Sequence, residues 1–150
     1  MLCGKARLTL GRCSWTVPVV ATLLVAAGCG ASQRGPQVGE TVLRVTERDF
    51  KISAPKRVAA GDVRLLVHNR GPDDHELIVV RLQGSGLPFR AGGMTVDEDA
   101  LEPLKAGALE PGLPGALREL RLHLAPGRYV LFCNMRGHYR GGMHVELAVQ

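Results

Sequence analysis

The run Cys133-Asn134-Met135-Arg136-Gly137-His138-Tyr139-Arg140-Gly141-Gly142-Met143 places three metal donors in the order Cys-x4-His-x4-Met. A thiolate, an imidazole and a thioether on one connection suit a copper ion that changes oxidation state, because sulfur favours Cu(I) and nitrogen accommodates Cu(II). A trigonal site of this kind takes a second His and leaves the Met as a weak axial donor. His75 is the candidate for that second imidazole. It follows a Gly-Pro turn in Asn69-Arg70-Gly71-Pro72-Asp73-Asp74-His75-Glu76-Leu77.

The segments around these donors read as strands. Residues 128–133 lead into the donor run and 143–149 lead out of it, with Ala125-Pro126-Gly127 as the preceding turn. Residues 117–124 put Leu120, Leu122 and Leu124 on one face and Arg121 and His123 on the other. Residues 63–69 alternate Val63, Leu65 and Val67 against Arg64 and His68, the period of a half-buried strand. Residues 41–46 read as the first strand, 49–53 as its continuation and 58–62 as a turn. Residues 75–82 are apolar on both faces beyond Glu76, as in the central strand of a sandwich. Short strands between Gly/Pro turns predict an all-β sandwich. Cys133, His138, Met143 and His75 then gather at one of its ends. Residues 83–116 break the rhythm and predict one long loop or short-helix insertion. Within them Thr95-Val96-Asp97-Glu98 resembles a capping box, with Leu101 and Leu104 as buried candidates and Pro103 ending or distorting the helix.

On the Cys-x4-His-x4-Met loop and the upstream Asn-x-Gly-x3-His, residues 41–150 resemble the cupredoxins, the small type 1 blue-copper electron carriers. The loop spacing is most similar to that of the rusticyanin and sulfocyanin branch. The resemblance implies a Greek-key β-sandwich and one copper ion cycling between Cu(I) and Cu(II). It implies His75, Cys133 and His138 as equatorial ligands and Met143 as the axial one. Core packing is the other reading of Met143. Electrons would pass through the edge of His138, and Met135, Tyr139, Gly141 and Gly142 would form a low-charge docking patch for a redox protein partner. Many cupredoxins carry a small polar residue after the upstream His, tied to the Cys loop, whereas this chain has Glu76. Alternation predicts that Glu76 faces away from His75, leaving Asn69 or Asn134 as sources of the tie.

The rest of the chain bounds the function further. With 22% charged and 45% hydrophobic residues in 150, the composition fits one folded domain and not wholesale disorder. Formal net charge is +5, and Lys5, Arg7 and Arg12 precede the folded domain, which leaves +2. That is too little and too scattered to indicate nucleic acid. Those three cations, the apolar stretch 15–27 and Ala26-Ala27-Gly28-Cys29 resemble the signal peptide of a bacterial lipoprotein. Ala26 stands where Leu is commoner. The reading is a signal peptide over 1–28, lipidation at Cys29, a flexible linker over 29–40 and a cupredoxin domain over 41–150. An uncleaved span is the alternative, but the apolar stretch is short against the ~20 residues a span takes, and Pro18 interrupts it. The domain is thus expected outside the cytoplasm, as a monomer tethered to the cell membrane. Cys3, Cys13 and Cys29 fall before the domain, so Cys133 has no disulfide partner within it, and bound copper would protect it from oxidation.

Rival functions differ in what they need. Multicopper oxidases and nitrite reductases bridge to a second copper through His residues beside the Cys. Here Phe132 and Asn134 flank it, and Gly137 stands where a binuclear site would place a second Cys. Catalysis is therefore not expected. Copper storage or delivery is the runner-up, and it calls for a more open, exchangeable site. His68, His123 and His144 read as solvent-facing, and Asp97-Glu98-Asp99 as a solvated helix start rather than a calcium site.

Overall fold

A computed structural model describes residues 39–84 and 86–150; the expected signal peptide, Cys29 and all but the end of the linker lie outside the described residues. The elements are β1 (Thr41–Arg48), β2 (Lys51–Ser53), β3 (Arg57–Val58), β4 (Gly61–Asn69), β5 (His75–Arg81), α1 (Glu98–Leu101) with a 3-10 turn at Glu102–Leu104, β6 (Lys105–Gly112), β7 (Leu117–Leu124), β8 (Gly127–Phe132) and β9 (His144–Val149). They form a β-sandwich. One sheet has the order β2-β1-β4-β7 and the other β3-β9-β8-β5-β6. The pairs β1/β4 and β3/β9 are parallel and the rest antiparallel. No described helix is long and apolar enough to cross a membrane.

The period-2 pattern builds the core. Leu43, Val45, Val63, Leu65, Val67, Leu122 and Leu124 of the first sheet meet Leu77, Val79, Leu131 and Leu147 of the second. Each fully buried aliphatic side chain contributes ~1.5–3 kcal/mol relative to exposure. A second apolar layer covers the other face of the β5/β8 sheet. There Ile78, Val80, Val130 and Phe132 are closed over by Val96 and Leu101 from the insertion, with Phe89, Leu104 and Tyr139 packed against them. β5 is apolar on both faces for this reason, and not simply because it is central.

Three expectations are corrected. Residues 49–53 do not continue β1: the chain reverses at Asp49-Phe50 and β2 pairs back antiparallel, Arg48 opposite Lys51. Phe50 takes a left-handed backbone there, φ 57°. The insertion contains a full strand, β6, paired along β5. Its Gly- and Pro-containing sequence hides a strand that packs mainly through Leu109 and its backbone. Finally, α1 is capped by Asp97 rather than Thr95, the Asp97 carboxylate accepting the Ala100 N–H. Pro103 then turns the last residues into the 3-10 form. Leu101 is buried, as its position in the pattern predicts.

Candidate metal centre

Four connections meet where β1, β4, β6 and β8 end and β5 and β9 begin. Cys133 follows β8 directly, and His75 opens the neighbouring strand β5. The donor atoms of His75, Cys133 and His138 all lie within 4.8 Å of one another. Cys133 Sγ is 3.6 Å from His138 Nδ1. The two imidazole rings meet edge to face, 5.2 Å between centroids. His75 and Cys133 are fully buried and His138 is half-buried, so one side of the cluster reaches solvent. No other cluster of this type occurs among the described residues.

The loop 133–143 is closed by its own backbone. His138 N–H donates to Met135 O, Gly141 N–H to Gly137 O, Met143 N–H to His138 O, and Cys133 N–H to Met143 O. Gly142 supplies the φ of 105° that the last turn requires. Gly141 lies against the Phe50 ring, where a β-carbon would stand 2.1 Å from the ring edge. The insertion grips the loop from outside. Gly137 N–H donates to Met94 O, and Arg140 Nε–H to Gly93 O. The Asn134 side chain accepts from Val96 N–H and donates to Val96 O and Glu98.

Glu76 faces away from His75 into the insertion side, as alternation predicts, and its carboxylate accepts the Asn134 N–H at 3.0 Å. The residue after His75 therefore ties the two ligand segments itself. Of the two residues named as sources of the tie, Asn134 supplies it, through its backbone N–H and not its side chain. Asn69 organises the loop before His75 instead: its amide donates to Asp73 O and Gly112 O, and its oxygen accepts Gly71 N–H.

Burial sets the electrostatics of the cluster and favours its uncharged forms. Burial pushes the Cys133 thiol up to about 11, although backbone N–H groups of Met135 and Glu76 oppose the rise by pointing at the sulfur. Burial, and then the neighbouring His138, lowers the His75 pKa, which favours the neutral imidazole with a lone pair to donate. Its Nδ1 is buried with no hydrogen-bond partner, while Nε2 contacts Asp49 Oδ1 at 3.0 Å. An orphaned ring nitrogen beside a buried sulfur and a second imidazole fits a metal with mixed nitrogen and sulfur affinity. Met143 is fully buried in the cluster that contains Cys133, and Met135 packs against that cluster from the edge.

Of the residues expected around His138, Met135 is half-buried, and Gly141 and Gly142 are exposed. Tyr139 turns inward: its ring stacks on His144 at 4.6 Å and meets Phe89 and Phe132 edge-on. Phe50 and Met94, which sequence reading passed over, are exposed beside the loop, at 53% and 42%. Phe50 stands edge-on to His138 at 5.4 Å. Each lies far along the chain from His138, and no local pattern signals such a contact.

The fold is shared with several solved structures. Auracyanin from the photosynthetic bacterium Roseiflexus castenholzii, in its dithionite-reduced form, is similar at TM-score 0.56 and 19% identity, over 75% of this chain and 99% of that one. Auracyanin A, a "blue" copper protein of Chloroflexus aurantiacus, is similar at TM-score 0.56 and 16% identity, over 75% and 100%. Rusticyanin from Thiobacillus ferrooxidans is similar at TM-score 0.56 and 14% identity, over 75% and 80%. No family model and no curated protein matches the sequence. The chain has the cupredoxin fold.

Proposed function

We propose that the protein is a mononuclear blue-copper electron carrier, with one copper ion held by His75, Cys133 and His138 and with Met143 as a weak axial donor. The observation that carries this reading is the buried triad itself: three donors within 4.8 Å, one of them an imidazole nitrogen with no other partner. Copper bound there supplies a one-electron couple between Cu(I) and Cu(II).

The protein's own residues supply the rest. Burial of His75 and Cys133 keeps water from the sulfur side. The self-bonded loop and the clamp at Asn134 fix the donors, which favours a carrier whose ligands move little. The half-buried His138 gives an electron a short way out. Around it, Phe50, Met94, Met135, Gly141 and Gly142 offer an uncharged surface, flanked by the exposed Arg136 and Arg140, for brief contact with a redox protein partner. The inward Tyr139 serves to hold that surface in place. Storage or delivery is disfavoured by a thiolate enclosed this deeply. Phe132 and Asn134, beside Cys133, both turn into the insertion layer and provide no bridge to a second metal.

We further propose that the carrier is an extracytoplasmic monomer tethered through Cys29. Mass spectrometry of the native N-terminus should find an acylated Cys29; an intact Met1 contradicts the tether. The carrier reading is tested by the optical spectrum of the Cu(II)-loaded protein beside that of Cys133→Ser. The expected result is intense visible charge-transfer absorption at one copper per chain, abolished by the substitution. A pale wild type, or a colour that survives in Cys133→Ser, overturns it.

A further inference from the structure

We propose that Asp49 is a positioning residue for the His75 ligand: it fixes the imidazole tautomer that presents a bare Nδ1 to Cys133 and His138, and it biases the site toward Cu(II). This deepens the electron-carrier reading and rests on it.

Three observations converge. Asp49 sits in the turn between β1 and β2, and its Oδ1 lies 3.0 Å from His75 Nε2. A neutral imidazole carries one ring proton. A carboxylate, which only accepts, therefore draws that proton to Nε2 and leaves the Nδ1 lone pair free. Nδ1 is the atom that is buried without a partner. The third observation is Gly71. A β-carbon there would stand 2.7 Å from both Asp49 Oδ1 and His75 Nε2. The Asn69-x-Gly71 turn thus leaves the space in which the carboxylate meets the ring. Asn69 holds that turn by accepting Gly71 N–H.

The direction of the effect follows from charge. A carboxylate on the far nitrogen makes the imidazole a stronger donor. A negative charge one ring away from the metal stabilises Cu(II) over Cu(I). Asp49 is partly open to water, at 28% side-chain exposure, so screening reduces the effect without removing it.

The test compares wild type, Asp49→Asn and Asp49→Ala. Asparagine keeps an acceptor oxygen and removes the charge; alanine removes both. All three should take up one copper and absorb intensely in the visible. Asp49→Asn should shift the Cu(II)/Cu(I) equilibrium about tenfold toward Cu(I), a rise of ~59 mV in the reduction potential, and Asp49→Ala by at least as much. Nitrogen-15 NMR of the metal-free proteins reads the tautomer directly. Nε2 should carry the His75 proton in wild type and in Asp49→Asn, and Asp49→Ala should populate the Nδ1–H form. Potentials unchanged in both variants, or a wild-type proton on Nδ1, overturn the proposal. A copper-loaded wild type without colour overturns the carrier reading instead, and the tautomer in the metal-free protein still decides the role of Asp49.

Discussion

Phe50 has a left-handed backbone, φ 57°, that a β-carbon makes costly by ~1–2 kcal/mol. The cost is borne at a turn whose two residues both touch the donor cluster: Asp49 on His75, and Phe50 on His138 and the Gly141 backbone. Strain of this kind tends to gather at functional positions. Met143 is the other residue whose role is decided singly. A soft neutral thioether stabilises Cu(I), and a harder amide oxygen favours Cu(II). Met143→Gln should therefore retain copper and lower the reduction potential by on the order of 100 mV, where each ~59 mV is a tenfold change. Protein-film voltammetry of the two forms measures it. An unchanged potential would assign Met143 to core packing and make Met135 the axial candidate. The gathering of His75, Cys133 and His138 was legible because residue type and spacing mark them as donors. Asp49, Phe50 and Met94 were not, because they act across separations that no local pattern encodes.

At the scale of elements, alternation reads most clearly where one face is apolar and the other charged. β4 and β7 answer to it, and their register sets Val63 opposite Leu122 and Leu65 opposite Leu120. β5 is read as a strand for the right composition but for an incomplete reason. Its outer face is buried under the insertion, whose Val96 and Leu101 were only partly visible as core. β6 was missed since its glycines, alanines and Pro111 resemble a loop; pairing with β5 supplies the order that its own propensity lacks. The β1–β2 reversal was missed because Asp-Phe is no usual turn pair. The insertion acts on the donor loop through Asn134, whose side chain reaches Val96 and Glu98 while its backbone N–H is held by Glu76. One residue beside Cys133 thus joins the metal centre to the outer layer.

At the scale of the whole molecule, strands β1 and β7 of the first sheet meet in a buried carboxyl–guanidinium contact whose charge burial opposes. Glu47 on β1 is fully buried against Arg118 on β7, which also donates to Glu110 O on β6. Burial raises the Glu47 pKa from 4.5 to about 7, with Arg118 pulling the other way. A carboxyl that holds its proton more tightly when folded stabilises the fold fully below its unfolded value. That contribution declines as pH rises from about 4.5 to about 7 and is absent above. Urea unfolding of metal-free wild type and Glu47→Gln across that window should show the wild type losing stability relative to the variant as pH rises. Parallel curves would contradict a raised Glu47. On the electron-carrier reading, the donors are held rigidly enough that copper changes oxidation state in place. Anomalous diffraction at the copper edge, from oxidised and reduced crystals of the loaded protein, tests it most directly. One copper bound by His75 Nδ1, Cys133 Sγ and His138 Nδ1 in both states is the predicted result. Copper seated elsewhere, or an imidazole released on reduction, would contradict it.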